Sequence, residues 1–434
     1  MYNKSQYKWS QFVFQVNSGN DIILYNTYNG SIIVLNKEIH ESISNGSVFL
    51  EEVNGLIEQG MLIDRKYDEE HEYLETLKDD IDNDSLLNLV IAPTFSCNFS
   101  CAYCFESGIE SHSFQEKDII IIESYLQKYL KIHRKINQAS ISVFGGEPTV
   151  AWNFVEKCIP KIINIFKREG ITYYVRITSN GYLLSDEKCR FLSKFNWKSA
   201  EITIDGPQLI HNKRRMLKNG DGSFSVIMKN LLNILDHRYL DHIDLRINID
   251  RENYQHIPEF LKELSLYYSP DNFQISLGRL TDTVSSTNAH KHNAPILLDS
   301  GSWEDVFLEL YKQLEKFGFS TPEFYSLDGY CLAKEKYGLI ICPDKNIYRC
   351  LSMVGREEYA DDYLYNPCFQ PKALLDFDII KKCLSEKCPF VPNCLGGCYF
   401  EGMLKTGKKV ARHCRRNEYS RINAEIIREK YGKD

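Results

Sequence analysis

The sequence lacks the long apolar run that a membrane-spanning helix requires. Its 434 residues are 43% apolar and 26% charged, and no apolar stretch approaches the roughly 18 residues of a transmembrane span. The opening string MYNKSQYKWSQ has neither the basic segment nor the apolar segment of a secretory signal peptide. We therefore expect a cytoplasmic protein with no membrane partner.

An excess of basic charge is also missing. Lys and Arg number 52 against 59 Asp and Glu, which gives a net charge of -7. Without a basic surface the chain has no electrostatic footprint for nucleic acid, and we expect no nucleic-acid partner. The length corresponds to about two to four domains, enough to bury a sizeable core.

A second CxxC pair, which would complete a structural zinc site, is missing near the first group of cysteines. That group lies in the string CNFSCAYCF, at Cys97, Cys101 and Cys104. Three thiolates in one loop can hold an iron-sulfur cluster, and the missing fourth ligand leaves one iron open to a substrate or cofactor. A zinc site or a disulfide knuckle is the alternative, which the ligand count disfavours.

The chain has 14 cysteines, and nine of them lie between positions 331 and 414. In a reducing compartment so many cysteines do not form a disulfide framework, so their clustering points to metal binding. Cys158 and Cys189 fall in helical stretches and are interpreted as small buried hydrophobic residues.

Six domain segments are predicted from the patterning. Residues 1–66 contain short strands and two helical stretches, 67–85 are a charged linker, 86–300 alternate strand and helix, 301–330 contain a bridging helix, 331–416 are rich in cysteine, and 417–434 form a final helix. The polar stretch 281–295 is predicted to be a loop. Six βα units imply a parallel sheet, which can be an open doubly wound sheet or a barrel.

Two candidate strands carry polar residues on one face. In one, Ile202 and Ile204 alternate with Glu201, Thr203 and Asp205, and in the other Arg246, Asn248 and Asp250 alternate with Leu245, Ile247 and Ile249. A parallel sheet covered by helices on both faces is apolar on both. The alternation therefore favours an incomplete barrel whose polar interior holds a ligand, over edge strands with one solvated face.

The CxxxCxxC triad, with Tyr103 before its third cysteine, resembles the radical S-adenosylmethionine (radical SAM) enzymes. The resemblance implies that Cys97, Cys101 and Cys104 bind a [4Fe-4S] cluster whose open iron receives S-adenosylmethionine, and that this cofactor is cleaved to a 5′-deoxyadenosyl radical. It also implies a role in cofactor binding for the residues around the triad and at the strand ends. These are Tyr103 of the triad, Gly145, Gly146 and Glu147 of FGGEP, which should meet the amino group, and Ser179 and Asn180 of TSNG, which are candidates for the ribose hydroxyls.

The polar strand faces supply Asp205, Arg246 and Asn248 as further cofactor or substrate contacts. Arg246 could pair with the methionine carboxylate through its two-pronged guanidinium group. The alternative is that these side chains form internal ion pairs with a purely structural role.

The later cysteines resemble the SPASM extension of peptide-modifying radical SAM enzymes, which holds two auxiliary [4Fe-4S] clusters. The resemblance assigns Cys331, Cys350 and Cys398 to the first, with Cys342 as the favoured fourth ligand, and Cys383, Cys388, Cys394 and Cys414 to the second. An open iron that a substrate thiolate could occupy is the alternative to Cys342. The family expects a cysteine where Ser385 stands, so the loop must bulge for Cys383 to bind, and Lys345 replaces a turn glycine.

The first domain resembles, in pattern, the winged-helix-like module with which enzymes that mature ribosomal peptides capture a leader peptide as an added strand. A dimerisation or lid domain is the alternative. The resemblances imply an α/β fold: a partial (β/α)6 TIM-like barrel with an N-terminal winged-helix-like α+β domain and a C-terminal SPASM domain.

They also imply an oxidoreductase that installs a cross-link, with a thioether favoured, in a precursor peptide and takes electrons from a flavodoxin-type or ferredoxin-type reductant. The alternative products are a carbon-carbon cross-link or an oxidised side chain. The alternative functions are anaerobic sulfatase maturation and, outside enzymes, an iron-sulfur electron-transfer module.

Overall fold

The computed structural model describes residues 6–46, 50–281, 296–326, 331–369 and 374–432. Its contacts divide the chain into two compact units. Unit 1 combines Met1–Asp82, Pro322–Cys331 and Leu375–Asp434, and unit 2 combines Asn83–Thr321 and Leu332–Leu374. The predicted loop at 281–295 lies outside the described residues except for Thr281. Within the described ranges, no helix is both long and apolar enough to cross a lipid bilayer.

Unit 1 begins with a small α+β fold. Its strands are β1 Tyr7–Trp9, β2 Val13–Ser18, β3 Asp21–Asn26, β4 Ile32–Asn36 and β5 Leu62–Asp64, and its helices are α1 Lys37–Asn45, α2 Leu50–Glu58 and α3 Glu69–Asn83. Strands β2, β3 and β4 form an antiparallel sheet in that order, and β1 pairs with β5. Much of the segment expected as a linker is therefore helix α3, whose buried Tyr73 packs against Phe12 and Tyr28.

Local sequence explains where α1 begins and ends. The side chain of Asn36 accepts a hydrogen bond from Glu38 N over 2.8 Å, which caps the first turn. Gly46 follows the helix with a φ of +79°, a left-handed conformation that glycine adopts without strain. The helices then close over the sheet through an apolar core. This core consists of Leu24, Ile43, Val53, Leu56, Met61 and Leu62.

Unit 2 is built on a nine-stranded sheet. Its strands are β6 Leu86–Ile91, β7 Gln138–Val143, β8 Thr172–Ser179, β9 Trp197–Thr203, β10 Ile243–Ile249, β11 Phe273–Arg279, β12 Gly338–Ile341, β13 Asn346–Tyr348 and β14 Asp362–Tyr363. The spatial order is β11-β10-β9-β8-β7-β6-β12-β13-β14, and β6 to β11 are parallel. A doubly wound sheet reverses its strand order part of the way across. Because β6 to β11 are neighbours in chain order, the predicted partial barrel is confirmed.

The helices of unit 2 mostly connect these strands. They are α4 Ile119–Ile132, α5 Trp152–Arg168, α6 Asp186–Leu192, α7 Gln208–Arg214, α8 Phe224–Asp236, α9 Ile257–Tyr267 and α10 Ser300–Lys316. Helix α8 packs close to the apolar side of β9, because a Cβ on Gly181 would lie 3.0 Å from Ile202 Cγ2 and 3.1 Å from Ile227 Cγ2. The apolar side chains that alternate along the strands thus pack against helices.

Strand β10 shows how the two faces of the sheet differ. Leu245, Ile247 and Ile249 are fully buried, whereas Arg246 and Asn248 between them are half-buried. Arg246 lies opposite Thr203 of β9 and Ser276 of β11, so the polar positions line one face across three strands. This arrangement is the polar interior that the sequence predicts.

The C-terminal part of unit 1 carries four helices, α11 Phe377–Ser385, α12 Val391–Cys394, α13 Tyr399–Thr406 and α14 Arg416–Tyr431. Ile427 of α14 is buried with Val16 of β2 and Ile23 of β3. Phe390 contacts Phe14 with ring centroids 5.0 Å apart. The two ends of the chain therefore share a core within unit 1.

Candidate functional site

The first group of cysteines lies in the loop that follows β6, at the carboxyl edge of the parallel strands. Main-chain bonds anchor this loop at two places: Phe95 N donates to His112 O and Ser100 N donates to Met216 O, each over 2.9 Å. Ligands of parallel α/β folds bind at this edge of the sheet. The sequence therefore places the cysteines where a cofactor can reach them.

The three thiols lie close enough to influence one another. Burial raises the pKa of Cys97 to about 11 and the pKa of Cys104 to about 12, and it also raises the pKa of Cys101. Electrostatic repulsion from Cys101 adds to the rise at both of the other thiols. Three partly buried thiolates need cations beside them, so the donor set fits an iron-sulfur cluster.

The strand end FGGE packs directly on this loop. Gly146 N donates to Thr94 O over 3.0 Å, and Glu147 N donates to Ser96 O over 2.9 Å. A Cβ on Gly146 would lie 2.5 Å from Phe95 O and 2.6 Å from Ser96 O, so a side chain cannot fit without moving main-chain atoms. The glycines expected to approach the cofactor thus also allow the cysteine loop to lie against β7.

Glu147 connects the ends of β7 and β8. Its carboxylate accepts hydrogen bonds from Thr149 N (3.0 Å), Thr149 Oγ1 (2.5 Å), Ser179 Oγ (2.9 Å) and Asn180 N (2.7 Å). Burial raises the pKa of Glu147, although these bonds oppose the rise. Asn180 Nδ2 in turn donates to Asn98 Oδ1 over 2.8 Å and lies 3.8 Å from Cys97 Sγ. The structure therefore brings Glu147, Ser179 and Asn180 together beside the cysteine loop.

Tyr103 ties the cysteine loop to the polar interior of the barrel. Its hydroxyl donates to Asp205 Oδ2, and it accepts from Arg215 over 2.7 Å and from Asn248 Nδ2 over 3.3 Å. Burial raises the pKa of Tyr103 well above its usual value. The ring also lies under Arg214, whose guanidinium carbon is 5.1 Å from the ring centroid.

Arg214 and Arg215 belong to this network, and the sequence analysis did not single them out. Arg214 pairs with Asp250 over 2.6 Å and with Asp205 over 3.5 Å, and all three side chains are at most 5% exposed. Arg215 is buried beside Tyr103, and its charge acts on Cys101. Two consecutive arginines shortly after β9 and Asp205 were the available signal in the sequence.

Arg246 and Asn248 lie together on β10. Arg246 Nε donates to Asn248 Oδ1 over 3.0 Å, and a Cβ on Gly278 would lie 2.5 Å from Arg246 Nη2. The guanidinium group therefore crosses the space that Gly278 leaves open on β11. Of the predicted cofactor contacts on the polar faces, Asp205 is engaged in ion pairing with Arg214, and Arg246 lies on the half-buried face of β10.

A second group of thiols lines one cavity in unit 1. Its members, Cys383, Cys388, Cys394 and Cys414, share the cavity wall with Arg412, Arg415 and Arg416. Burial raises the pKa of Cys383 to about 11, and the other three thiols raise it further. Four thiols around one cavity fit the cluster that the resemblance assigned to these same residues.

The spacing of Cys383 and Cys388 is explained by how α11 ends. Cys388 N donates to Cys383 O over 3.2 Å and Lys387 N donates to Leu384 O over 2.8 Å, the two bonds of a Schellman cap. Lys387 adopts a φ of +52°, a left-handed conformation that is unusual for a side chain with a Cβ. The cap turns the chain back after α11, so Cys383 and Cys388 lie at the two ends of one turn.

The remaining cysteines expected to bind the first auxiliary cluster fall into both units. Cys331 and Cys398 belong to unit 1, where Cys331 contributes to raising the pKa of Cys398, while Cys342 and Cys350 belong to unit 2. Cys342 is fully buried in an apolar cluster, and its pKa is raised by burial. That cluster contains Val90, Ala92, Phe95, Ile340, Tyr348 and Val354.

Among the residues that the structure describes, no three His, Cys, Asp or Glu side chains converge closely enough to hold one metal ion.

Comparison with protein families and relatives agrees with this geometry. Residues 91–264 match the model described as the Radical SAM superfamily. A cysteine-type anaerobic sulfatase-maturating enzyme of Clostridium novyi is 23% identical over 351 residues, which are 72% of this chain and 87% of that protein. The radical SAM cyclopropyl synthase TigE of Paramaledivibacter caminithermalis is 26% identical over 228 residues, which cover 48% of this chain and 44% of TigE.

Two solved proteins share the fold. A structure of anSMEcpe with bound AdoMet matches with a TM-score of 0.61 and 18% identity over 80% of this chain and 97% of that chain. SuiB of Streptococcus suis with bound S-adenosylmethionine matches with a TM-score of 0.53 and 16% identity over 94% of this chain and 99% of that chain. SuiB also matches in a structure with its precursor peptide SuiA, and anSMEcpe in one with the Kp18Cys peptide.

Proposed function

We propose that the radical SAM domain formed by residues 91–264 acts on a peptide, and that this enzyme installs a cross-link in a ribosomally made precursor. The observation that carries the proposal is a polar barrel interior beside the cysteine loop in unit 2, combined in one chain with the separate α+β fold of unit 1. The peptides bound in the anSMEcpe and SuiB structures support a peptide as the substrate class.

In this proposal unit 2 holds a [4Fe-4S] cluster and S-adenosylmethionine. Cys97, Cys101 and Cys104 bind the cluster, and the cofactor contacts are Tyr103, Gly145, Gly146, Glu147, Ser179, Asn180, Asp205, Arg246 and Asn248. When bound, the two groups supply a 5′-deoxyadenosyl radical that takes a hydrogen atom from the substrate. The electron comes from an external one-electron reductant of the flavodoxin or ferredoxin type.

The residues of the chain have distinct tasks around these groups. Glu147 positions Ser179 and Asn180 by accepting their hydrogen bonds, so the ends of β7 and β8 keep one geometry. Arg215 brings a buried positive charge to Cys101 and Tyr103, which favours an anionic cluster in the loop. Arg246 offers a carboxylate a two-pronged contact on the interior face of the barrel.

The α+β fold of unit 1 offers an edge strand for a leader peptide. Asn26 N donates to Ser31 O and Lys37 N donates to Asn20 O, each over 2.9 Å, which sets the hydrogen-bonded pairs between β3 and β4. Antiparallel pairs alternate, so the main-chain groups of Ile32, Val34 and Asn36 point away from β3. Because β4 ends the described sheet, these groups are placed to pair with an added peptide strand.

The four thiols of the second group hold a further [4Fe-4S] cluster in this proposal, and Cys331, Cys342, Cys350 and Cys398 hold the first auxiliary cluster. Such clusters accept electrons. Forming a thioether removes one hydrogen from sulfur and one from carbon, so two electrons must leave the peptide. We favour a thioether, because attack of sulfur on a carbon radical needs an electron acceptor and a held thiolate. The same parts serve a carbon-carbon cross-link or a side-chain oxidation.

Sulfatase maturation is the second candidate function. It is favoured by the relative from Clostridium novyi, whose alignment covers 87% of that protein. The fold before Leu86 speaks for a precursor peptide instead, because a short local motif does not require a leader-binding module. The SuiB match also extends over 94% of this chain, against 80% for anSMEcpe.

Anaerobic reconstitution tests the cofactor assignment. We expect about twelve irons per chain and release of 5′-deoxyadenosine from S-adenosylmethionine, whereas Cys101→Ala should hold about eight irons and release none. Absence of 5′-deoxyadenosine from the unaltered protein would contradict a catalytic role. About eight irons in the unaltered protein would remove one auxiliary cluster from the proposal.

Coexpression with a small cysteine-bearing peptide encoded beside this gene tests the substrate. Each cross-link should lower the peptide mass by about two hydrogens, because both bonded atoms lose one. The matched control is the Cys101→Ala enzyme, which should leave the mass unchanged. Formylglycine in a sulfatase peptide, with no mass change in the precursor, would favour the second candidate.

A further inference from the structure

A guanidinium group lies directly against the second group of thiols in unit 1. Arg412 Nη2 is 3.6 Å from Cys414 Sγ, within hydrogen-bond reach of the sulfur. The same Nη2 and its neighbour Nη1 donate to the two carboxylate oxygens of Glu386, over 2.5 Å and 2.8 Å. Because Glu386 holds both Nη atoms and the Arg412 side chain is 19% exposed, the charge of Arg412 keeps one orientation toward the cavity.

The contact reaches beyond one sulfur. Arg412 also lines the cavity whose wall contains Cys383, Cys388 and Cys394. Glu386 follows α11, which carries Cys383, and Arg412 lies two residues before Cys414. The Arg412–Glu386 pair therefore connects the two chain segments that supply the thiols and places positive charge beside them.

We propose that Arg412 is a positioning residue that raises the reduction potential of the cluster held by Cys383, Cys388, Cys394 and Cys414. This inference rests on the second auxiliary cluster of the proposed function. Reduction adds one negative charge to a cluster that four thiolates already make anionic. A cation that donates a hydrogen bond to a ligand sulfur stabilises the reduced form more than the oxidised form, so the cluster accepts an electron more readily.

Glu386 has the opposite effect on the potential. Its carboxylate neutralises part of the charge of Arg412, and 42% of its side chain is exposed. Replacing it with glutamine keeps an oxygen that accepts from Arg412 but removes a negative charge near the thiols. Replacing Arg412 and replacing Glu386 should therefore shift the reduction potential of the cluster in opposite directions. General destabilisation of the site would not produce opposite shifts.

The experiment uses the full chain with Cys97, Cys101 and Cys104 replaced by alanine, so that only the auxiliary clusters are reconstituted. Midpoint potentials are measured by electron paramagnetic resonance at poised potentials, with dithionite as the reductant. Arg412→Gln should shift the potential of one cluster to a more negative value, and Glu386→Gln should shift the same cluster to a less negative value. The control Arg190→Gln, which removes a surface partner of Asp186 in unit 2, should shift neither.

Each outcome decides the inference. An Arg412→Gln protein with full iron content and an unchanged or less negative potential overturns it. If Arg412→Gln assembles about four fewer irons, Glu386→Gln decides, and a shift that is absent or more negative overturns the inference. About four irons instead of about eight in the starting protein would overturn the cluster assignment itself, which is distinguishable from a failed shift.

Discussion

Gly146 leaves room for the main chain of the cysteine loop, and this room is needed for the loop to lie against β7. A Cβ at this position would overlap Phe95 O and Ser96 O. We expect Gly146→Ala to destabilise the fold by about 1–3 kcal/mol through overpacking. Because the displaced loop carries Cys97, Cys101 and Cys104, the variant should also hold about four fewer irons after reconstitution.

Gly55 provides the control for this prediction. It lies in α2, its backbone is helical, and a Cβ added to it would have no other atom within 4 Å. Gly55→Ala should therefore leave the iron content unchanged and stabilise the helix by up to about 1 kcal/mol. Urea unfolding and iron analysis check both variants. A Gly146→Ala protein with full iron content would show that the loop tolerates the added methyl group.

His211 is a buried imidazole whose protonation is set by its neighbours. Its Nδ1 accepts from Asp205 N over 3.3 Å, and its Nε2 lies 3.1 Å from Ser223 Oγ. Since Ser223 Oγ donates to Arg215 O, His211 Nε2 carries the proton. Burial lowers the pKa of His211 to about 3, and the charges of Arg215 and Arg214 lower it as well, while Asp205 opposes them.

The low pKa of His211 predicts a pH-dependent stability. The unfolded chain titrates near pH 6.5, so between pH 6.5 and about 3 it binds more protons than the folded chain. The contribution of His211 to the free energy of unfolding is complete above pH 6.5. It is lost as the pH falls, at about 1.4 kcal/mol per pH unit. The His211→Gln variant offers an amide oxygen and an amide N–H for the two hydrogen bonds but does not titrate. It should therefore make the urea midpoint of unfolding depend less on pH. The exposed control His71→Gln should not, and parallel profiles for all three proteins would contradict the prediction.

At the residue scale, spacing in the chain predicts a site for Cys97, Cys101 and Cys104 but does not indicate a role for Arg214 and Arg215. The three cysteines are close in sequence because one loop presents them together. Arg214 forms its ion pairs only because Asp205 and Asp250, which follow the two strands β9 and β10, converge on it. A local sequence pattern does not show that these distant residues converge.

At the scale of elements, edge strand β4 offers a test of peptide recognition. The N–H of Val34 points away from β3, so proline at this position removes an outward donor and leaves the pairing with β3 in place. We expect Val34→Pro to bind a leader peptide about fivefold to tenfold more weakly, which corresponds to about 1–1.4 kcal/mol. Fluorescence anisotropy of a labelled leader peptide measures the change.

Val34→Ala is the matched control, because it shortens the side chain and keeps the N–H. It should bind the leader peptide nearly as well as the unaltered protein. Equal affinity of Val34→Pro and Val34→Ala would show that the leader peptide does not pair with β4. Circular dichroism of both variants establishes that the sheet is intact.

Helix α11 shows how an element can repair a departure from a family pattern. The expected cysteine position is occupied by Ser385, which a strict motif counts as a missing ligand. The Schellman cap instead returns the chain so that Cys388 N bonds Cys383 O. Sequence spacing predicts Cys383 as the substitute, whereas the left-handed Lys387 that makes the cap possible follows from the folded backbone.

At the scale of the whole molecule, the second group of thiols and the N-terminal fold belong to one compact unit. The segment from Lys387 to Phe390 touches the N-terminal fold three times: Lys387 pairs with Glu70, Pro389 O accepts from Thr27 Oγ1, and Phe390 packs on Phe14. Cys388 lies inside this segment. In the proposed function Cys388 binds a cluster, so loss of that cluster should loosen contacts that support the sheet proposed to bind the leader peptide.

Replacing Cys388 with serine tests this connection. We expect about four fewer irons, faster hydrogen exchange in β2 and β3, and weaker binding of the leader peptide. Cys101→Ala loses iron from unit 2 and should leave exchange in β2 and β3 unchanged. Unchanged exchange in Cys388→Ser after confirmed iron loss would show that the cluster does not support the N-terminal fold.

The sequence by itself determined the cysteine groups, the alternation of strands and helices, and the polar face of β10. Each of these depends on residues that are close in the chain, where periodicity and spacing carry the information. The strand order, the ion pairs of Arg214 and the assembly of unit 1 from three separate segments were decided only by tertiary structure. These features join residues far apart in the chain, and their energy comes from burial and charge pairing that arise once the chain has folded.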